Sequence, residues 1–222
     1  MKSTLTRRTQ TFVHRSRQTR RCALAALLAF TAVTSWAQTV GISTVAGQAG
    51  SSALTDNAVG TSARFNNLGG LASDGTSIYV ADTSNNAIRK VLIATGAVST
   101  LATGFNFPGG IAVDGASVSY VADSLNHVIR KVTAGGVVSV TAGSLGVSGV
   151  SVLSTTQASA RFNSPQGIAV NSGGTLVYVA DTGNNVVRRI DIVGDVVTEI
   201  ASGFKPWGLA LNAAGTILYA TD

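Results

Sequence analysis

Short apolar runs separated by polar, glycine-rich turns recur along the chain from residue 38 to its last residue. Within one period these runs are Ile168-Ala-Val170, Val177-Tyr-Val-Ala180, Val186-Val-Arg-Arg-Ile190 and Val196-Val-Thr-Glu-Ile200. The runs are rich in Val, Ile and Tyr, and none continues into an apolar pattern with a helical period. The pattern therefore predicts four short β-strands in each period and an all-β fold.

The periods are copies of one another. Three segments align without gaps and a fourth copy starts before the chain stops, at residues 79–91, 120–132, 178–190 and 219–222. A period of about 40 residues, with one longer interval between Asp123 and Asp181, is typical of propeller blades rather than helical repeats. The sequence predicts a β-propeller domain over residues 38–222. Its four-stranded blades lie at about 63–102, 103–143 and 160–201, and an incomplete blade lies at 202–222.

The best-preserved copy reads Pro165-Gln-Gly-Ile-Ala-Val170 and then Val177-Tyr-Val-Ala-Asp181-Thr-Gly-Asn-Asn185. This motif resembles an NHL repeat, and the resemblance extends over roughly residues 42–222. It implies a β-propeller, commonly six-bladed, that serves more often as a binding platform than as an enzyme. Residues 42–47 resemble the fourth strands of the later repeats, which suits a ring closed by strand exchange. Because three blades and a stub do not close a ring, we expect a fragment with aggregation-prone open edges.

The first part of the chain has the composition of an export signal. Seven of the sixteen basic residues lie within residues 1–21, followed by an apolar run at 22–33 and the small-residue pattern Ser35-Trp36-Ala37. This order predicts a signal peptide over residues 1–37 and a periplasmic, secreted or cell-surface protein, with an uncleaved anchor as the alternative. The apolar run is too short to span a membrane. The single cysteine, Cys22, belongs to this leader, so the exported part has no thiol.

The charge of the chain follows the same division. The formal net charge is +6, but removal of residues 1–37 leaves nine basic and ten acidic residues. No basic patch large enough to neutralise a nucleic-acid backbone is then left. We therefore expect a protein or glycan partner at the cell surface, no nucleic-acid partner and no membrane span after signal cleavage.

Residues that recur in every blade are interpreted as architecture. The repeated acids are Asp82, Asp123 and Asp181, and the repeated bases are Arg89, Arg130 and Arg188. A hairpin brings the two strand ends together, so each acid is expected to pair with a base of its own blade. A carboxylate site shared by all blades is the alternative interpretation.

Other recurring or unique residues are candidates for ligand binding. Asn66, Asn106 and Asn163 precede the first strands of their blades, and Lys205 takes the same place in the fourth copy. A ring of amide oxygens there could hold calcium, although loop capping is the favoured role and no cofactor is expected. Trp207 is the candidate aromatic platform, with packing between blades as the favoured alternative.

Catalytic chemistry finds little support in the sequence. His127 is the single histidine outside the leader, so this chain alone assembles neither a multi-histidine zinc site nor a Ser-His-Asp triad. The resemblance nevertheless leaves open a propeller enzyme of the lyase or lactonase type, with a metal site in the central channel completed by further blades.

Two inserts, residues 48–62 and 144–159, are the least repetitive part of the blades. Their composition suits either recognition loops or flexible spacers.

The favoured function is an extracytoplasmic binding or scaffold protein that recognises a protein, glycan or surface component through its loops. A domain of a large surface protein with further adhesive modules is a third possibility.

Overall fold

The computed structural model describes residues 43–150 and 154–222, which fall within one compact unit, Ile42–Asp222. The predicted signal peptide, residues 1–37, lies outside the described residues. Within the described ranges, regular structure consists of β-strands and single turns of 3-10 helix. No helix in this part of the chain is long and apolar enough to cross a membrane.

The strands form the blades that the sequence predicts. Blade 1 contains β1 (Leu68–Ser73), β2 (Ser77–Asp82), β3 (Ala87–Leu92) and β4 (Val98–Thr103). Blade 2 contains β5 (Pro108–Val113), β6 (Ser119–Asp123), β7 (Val128–Val132) and β8 (Val138–Ala142). Blade 3 contains β9 (Ser154–Thr155), β10 (Ile168–Val170), β11 (Leu176–Asp181), β12 (Val186–Asp191) and β13 (Val196–Ser202). The fourth blade contains β14 (Leu209–Leu211) and β15 (Leu218–Ala220).

The blades are antiparallel meanders, and β1, β5, β10 and β14 are the innermost strands, which contact one another from blade to blade. Blade 3 has a fifth strand, because β9 pairs with the outer edge of β13. The prediction of three complete blades and the start of a fourth is therefore confirmed, and the extra strand is a feature that the repeat pattern did not predict.

The link between the second and third strands of each blade is a single 3-10 turn that ends on a left-handed residue. Asn86, His127 and Asn185 occupy this place, with φ between 54° and 58°. Asparagine tolerates this conformation better than most residues, which explains why the turn motif ends on Asn in two of the three copies.

Blades pack face to face through apolar side chains, so their strands are buried on both faces. One core cluster joins blades 1 and 2 around Tyr79, Ile88 and Val121. A second joins blades 2 and 3 around Tyr120 and Phe162. This packing explains why most strands read as continuous apolar runs instead of alternating apolar and polar positions.

The innermost strands approach one another at glycines. A Cβ atom built on Gly110 would lie 2.4 Å from the Gln166 carbonyl oxygen, and one on Gly167 would lie 2.3 Å from the Trp207 carbonyl oxygen. The Gly110 N–H also donates a hydrogen bond of 2.8 Å to the Gln166 carbonyl. Glycine at these positions is therefore required by the close approach of neighbouring blades.

Residues 43–47 form no strand within the described part, although they were predicted to copy a fourth strand. Gly47 nevertheless lies where Gly143 lies after β8, since both have φ near 100°. Each N–H donates 2.9 Å to an insert carbonyl, that of Gly60 or of Gln157. Gly47 thus leads into the first insert as Gly143, after the fourth strand of blade 2, leads into the second. The described residues before Gly47 do not pair with a strand, as ring closure would require.

Candidate functional site

The recurring acid and base of each blade form a buried ion pair between the ends of its second and third strands. Arg89 Nη1 lies 2.8 Å from Asp82 Oδ2. The corresponding distances are 3.2 Å from Arg130 Nη1 to Asp123 and 2.7 Å from Arg188 Nε to Asp181. The guanidinium group of each arginine lies over a phenylalanine ring of its own blade, namely Phe65, Phe105 or Phe162.

These aspartates are saturated with hydrogen bonds inside the blade. Oδ1 of Asp82 accepts the Asn66 N–H at 2.8 Å, and Oδ2 accepts the Asn85 side-chain amide at 2.9 Å. Blades 2 and 3 repeat both bonds. A carboxylate with this set of donors holds the loop before the first strand against the turn after the second. The arrangement is the architectural role favoured from the sequence.

Arg188 differs from its counterparts. Its Nη1 and Nη2 are buried and have no hydrogen-bond partner among residues 43–150 and 154–222. Burial raises the pKa of the Asp181 carboxyl, and the hydrogen bonds from Arg188, Asn163 and Asn184 offset only part of this effect. Blade 3 therefore holds its ion pair with fewer compensating contacts than blade 1, where Arg89 donates to two carboxylates.

The asparagines that were predicted to form a ring of amide oxygens hold their loops through backbone hydrogen bonds. Asn66, Asn106 and Asn163 each donate their N–H to the aspartate of their blade, and Lys205 does the same to Asp222 at 2.9 Å. The Asn163 side-chain amide also donates to the Gly183 carbonyl, which is a loop-capping contact. Within residues 43–150 and 154–222, no three His, Cys, Asp or Glu side chains lie together as a metal site would require. Calcium binding at these asparagines stays a prediction.

His127 has a structural contact that explains its presence in a turn otherwise ended by asparagine. Its Nδ1 accepts the Ser164 N–H of blade 3 at 3.1 Å. In blade 1, Asn86 Oδ1 accepts the Phe107 N–H of blade 2 at 2.8 Å. Histidine and asparagine both place an acceptor at this distance from the backbone, so His127 links two blades as Asn86 does.

Replacement of His127 tests this equivalence. We expect His127→Asn to change the free energy of unfolding by less than about 0.5 kcal/mol, because the acceptor and left-handed conformation are both retained. His127→Ala should cost roughly 1–2 kcal/mol through the lost bond and the left-handed backbone. Urea unfolding followed by circular dichroism measures both values. Equal losses for the two variants would contradict this role.

Hydroxyl groups after the repeated aspartates also join neighbouring blades, and sequence reasoning missed them. Thr83 donates to the Pro108 carbonyl at 2.8 Å, and Ser124 donates to the Pro165 carbonyl at 2.6 Å. Thr182 makes the same bond to the Pro206 carbonyl at 2.8 Å. All three complete copies carry Thr or Ser at this position, so the signal was present in the alignment of the repeats.

The starts of the innermost strands surround a cleft of about 450 Å³, called here the aromatic cleft. Its wall includes Phe107, Gly109, Gly167 and Trp207. Phe107 is 40% exposed and Trp207 is 60% exposed. Trp207 belongs to the last, two-stranded blade of the chain, so its packing between blades stays a prediction. Sequence reasoning did not single out Phe107.

Phe107 occupies the left-handed region, with φ of 57°. A bulky side chain adopts this conformation at a cost, and such residues cluster at binding sites. Here the Phe107 N–H is held by Asn86 Oδ1, which belongs to the neighbouring blade. The turn thus holds an aromatic ring at the cleft at the cost of local strain.

A second cleft, of about 750 Å³, lies at the opposite ends of the innermost strands and includes Asp74 and Asp114. Asp74 accepts hydrogen bonds from the Tyr79 hydroxyl at 2.9 Å and from the Ser117 hydroxyl at 2.8 Å. Burial would raise the pKa of the Asp74 carboxyl, but these and neighbouring donors outweigh it and hold the pKa well below its usual value. Asp74 therefore ties blade 1 to blade 2.

The two inserts lie against the outer edges of the blades that they precede. Asn57 of the first insert pairs with Val98 of β4, and β9 of the second pairs with β13. Asn85 and Asn184 donate their side-chain amides to insert carbonyls at Ala53 and Gly149. The described parts of the inserts are thus docked on the blades, so the flexible-spacer interpretation is wrong for them.

Comparison with known proteins agrees with the blade motif. The NHL repeat family model matches residues 162–190. Over 42 residues the chain is 48% identical to NHL repeat-containing protein 2 of Gallus gallus, covering 19% of this chain and 6% of that protein. Protein SUPPRESSOR OF QUENCHING 1, chloroplastic, of Arabidopsis thaliana is 50% identical over 42 residues, covering 19% and 4%. The matched part is thus a small fraction of these relatives.

Solved structures of similar fold come from proteins of different functions. A chain of the nidogen/laminin complex has a TM-score of 0.57 at 20% identity, covering 70% of this chain and 56% of that chain. A gluconolactonase from Xanthomonas campestris has 0.55 at 19%, covering 71% and 55%. An auxiliary nutrient binding protein from Bacteroides ovatus has 0.58 at 15%, covering 71% and 46%. At these identities the likeness shows the propeller fold alone.

Proposed function

Because the chain carries NHL repeats folded as propeller blades, we propose that it is an exported binding protein that takes its ligand at the aromatic cleft. The observation that supports this most directly is the exposed ring of Phe107, beside a backbone surface made of glycines, in a cleft that Trp207 also lines. Exposed aromatic side chains beside a concave surface are typical of binding sites. The strained backbone of Phe107 adds to this argument.

The geometry favours a ligand with a flat apolar face. Gly109 and Gly167 bring no side chain to the cleft, so a ring stacked on Trp207 or Phe107 meets backbone beside it. Gln166 supplies a side-chain amide in the same cleft, which offers one donor and one acceptor. A pyranose ring has an apolar C–H face and hydroxyl groups at its rim, which matches this combination. A surface glycan is therefore the ligand class that we propose.

The proposal is tested by titrating the purified chain with hexose oligosaccharides in a calorimeter. We expect Trp207→Ala to weaken binding roughly 30-fold, as the loss of a central aromatic contact does. Val193→Ala removes another exposed apolar side chain, one that lies outside this cleft, and should bind as the parent does. Equal affinity of the Trp207→Ala variant would overturn the assignment of the cleft.

An enzyme of the lactonase or lyase type is distinguished by metal analysis of the same preparation. Stoichiometric calcium or zinc in the purified protein, together with lactone hydrolysis unaffected by Trp207→Ala, would replace the binding proposal by a catalytic one. We expect neither, and we expect oligosaccharide affinity to be unchanged after treatment with a chelator.

A further inference from the structure

The outer edge of blade 1 shows how a propeller blade of this chain binds an extended segment. Asn57 and Val98 exchange two antiparallel backbone bonds, of 3.1 Å from the Asn57 N–H and 2.8 Å from the Val98 N–H. The neighbouring Asp56 carboxylate accepts the Thr100 N–H at 2.9 Å and the Thr100 hydroxyl at 2.9 Å. The first insert thus adds to the sheet as a short strand with an acidic anchor.

The acidic anchor also reaches the buried arginine of the blade. Asp56 Oδ1 lies 2.7 Å from Arg89 Nη2, which in addition donates to the Thr55 carbonyl at 2.9 Å. Burial would raise the pKa of Asp56, but the hydrogen bonds from Thr100 and Arg89 outweigh it and lower the pKa. The edge of blade 1 therefore offers one backbone N–H and one guanidinium nitrogen to a carboxylate, and the insert fills both.

Blade 2 presents the same donors without an insert to fill them. Arg130 is in register with Val140 as Arg89 is with Thr100, and Val138 holds the place of Val98. Only residues 104–107 connect β4 to β5, so this linker is too short to wrap the edge as residues 48–62 do. The outer strand of blade 2, β8, therefore has no segment paired with its outer side among the described residues, whereas β4 pairs with Asn57 and β13 with β9.

Arg130 has capacity left for an additional acceptor. Its Nη1 donates to the Gly104 carbonyl at 2.7 Å and to Asp123 at 3.2 Å. Nη2, the counterpart of the Arg89 atom that binds Asp56, makes no hydrogen bond with any described residue, and the side chain is 16% exposed. On the strand beside it, Val140 is 46% exposed. A carboxylate therefore has access to both groups from solvent.

We propose that the outer edge of blade 2, formed by Val138–Ala142 and Arg130, binds an extended acidic segment of a partner protein as an added antiparallel strand. An Asp side chain of that segment accepts hydrogen bonds from Arg130 Nη2 and the Val140 N–H. The backbone of the following residue pairs with Val138. Thr55-Asp56-Asn57 is the internal example of such a segment.

Charge favours an acidic partner over a second copy of the same edge. Arg130 Nη2 is the cationic donor that this edge leaves without an acceptor among the described residues. Pairing of two β8 edges would bring no carboxylate to either Arg130, whereas an acidic segment supplies one. The edge therefore favours an acidic segment over a second copy.

The probe is a synthetic peptide, Ser-Ala-Leu-Thr-Asp-Asn-Ala-Val, which reproduces residues 52–59. We expect saturable binding to the purified chain, with amide chemical-shift changes at Val138 and Val140 in NMR spectra. Replacing Asp by Asn in the peptide removes the charge and should weaken binding about tenfold, since hydrogen bonds to a charged group are the stronger ones. This comparison leaves the protein itself unchanged.

Two variants at one position locate the site. Val140→Pro removes the outward N–H and should abolish binding, while Val140→Thr adds the hydroxyl that Thr100 offers to Asp56 and should strengthen binding several-fold. Circular dichroism checks that both variants are folded. Trp207→Ala should leave peptide binding unchanged, so failure here is separate from failure of the proposed glycan site.

Several results would overturn the proposal. They are the absence of saturable binding, equal affinity of the Asp and Asn peptides, shift changes confined to blade 1 or to the aromatic cleft, and undiminished affinity of a folded Val140→Pro variant. A concentration-dependent dimer in which the Val138 and Val140 amides become protected would replace the acidic partner by a second copy of the chain.

Discussion

Arg89→Met is expected to lower the free energy of unfolding by about 3–5 kcal/mol. Arg89 is fully buried and donates hydrogen bonds to Asp82, Asp56, and the carbonyls of Arg64 and Thr55. Methionine fills a similar volume but leaves a buried carboxylate without its counter-charge and two carbonyls without donors. Chemical unfolding followed by circular dichroism measures the loss.

The same substitution at Arg130 provides a graded comparison. Arg130 is partly exposed and donates to one carboxylate, so Arg130→Met should cost roughly half as much. Lys131→Met, on the neighbouring half-exposed position, should change stability by less than about 0.5 kcal/mol. Equal effects of the three variants would show that the ion pairs are not what connects the strands and loops of a blade.

Gly110→Ala is expected to destabilise the protein by about 3 kcal/mol, because it forces apart two complete blades. The added Cβ would lie 2.4 Å from the Gln166 carbonyl oxygen and 3.1 Å from the Ile168 nitrogen, both of which are backbone atoms that cannot rotate away. The strand must shift, and the bond from the Gly110 N–H to Gln166 is then lost. In a repeat protein this loss falls on the interface that couples one blade to the next.

Gly173→Ala is the matched control. Gly173 lies in an exposed turn of blade 3, where an added Cβ meets no atom closer than 3.9 Å. Alanine there restricts the unfolded chain and should leave stability unchanged or raise it by up to about 1 kcal/mol. If Gly110→Ala proved as harmless as this control, the contact between the innermost strands would not limit the packing of the blades.

Comparison of the internal repeats distinguished structural residues, which recur in each blade, from candidate functional residues, which occur once. Asp82 and Arg89 recur and form a structural pair, and the asparagines before the first strands recur and hold loops. Trp207 has no counterpart among the other copies, and it lines a cleft. Recurrence did not reveal that one arginine of the set has different partners from another. Arg130 repeats the arginine of the other blades but lacks the second carboxylate acceptor that Arg89 has.

The sequence by itself determined the strands, the blade period and the pairing of each recurring aspartate with a base of its own blade. These features are local: a tight hairpin brings its two strands together whatever the rest of the chain does, and each blade repeats the same apolar pattern. The turns that end at Asn86 and Asn185 were also readable from these asparagines, because their side chains tolerate the left-handed conformation.

Only the tertiary structure decided which groups meet across blades. The docking of Asn57 on Val98, the link from Thr83 to Pro108 and the cleft shared by Phe107 and Trp207 join residues far apart in the chain. Their partners depend on how the blades stack, and no short-range pattern encodes that stacking. The strand edge of blade 2 belongs to the same class, because a strand edge is open or covered according to where the rest of the chain lies.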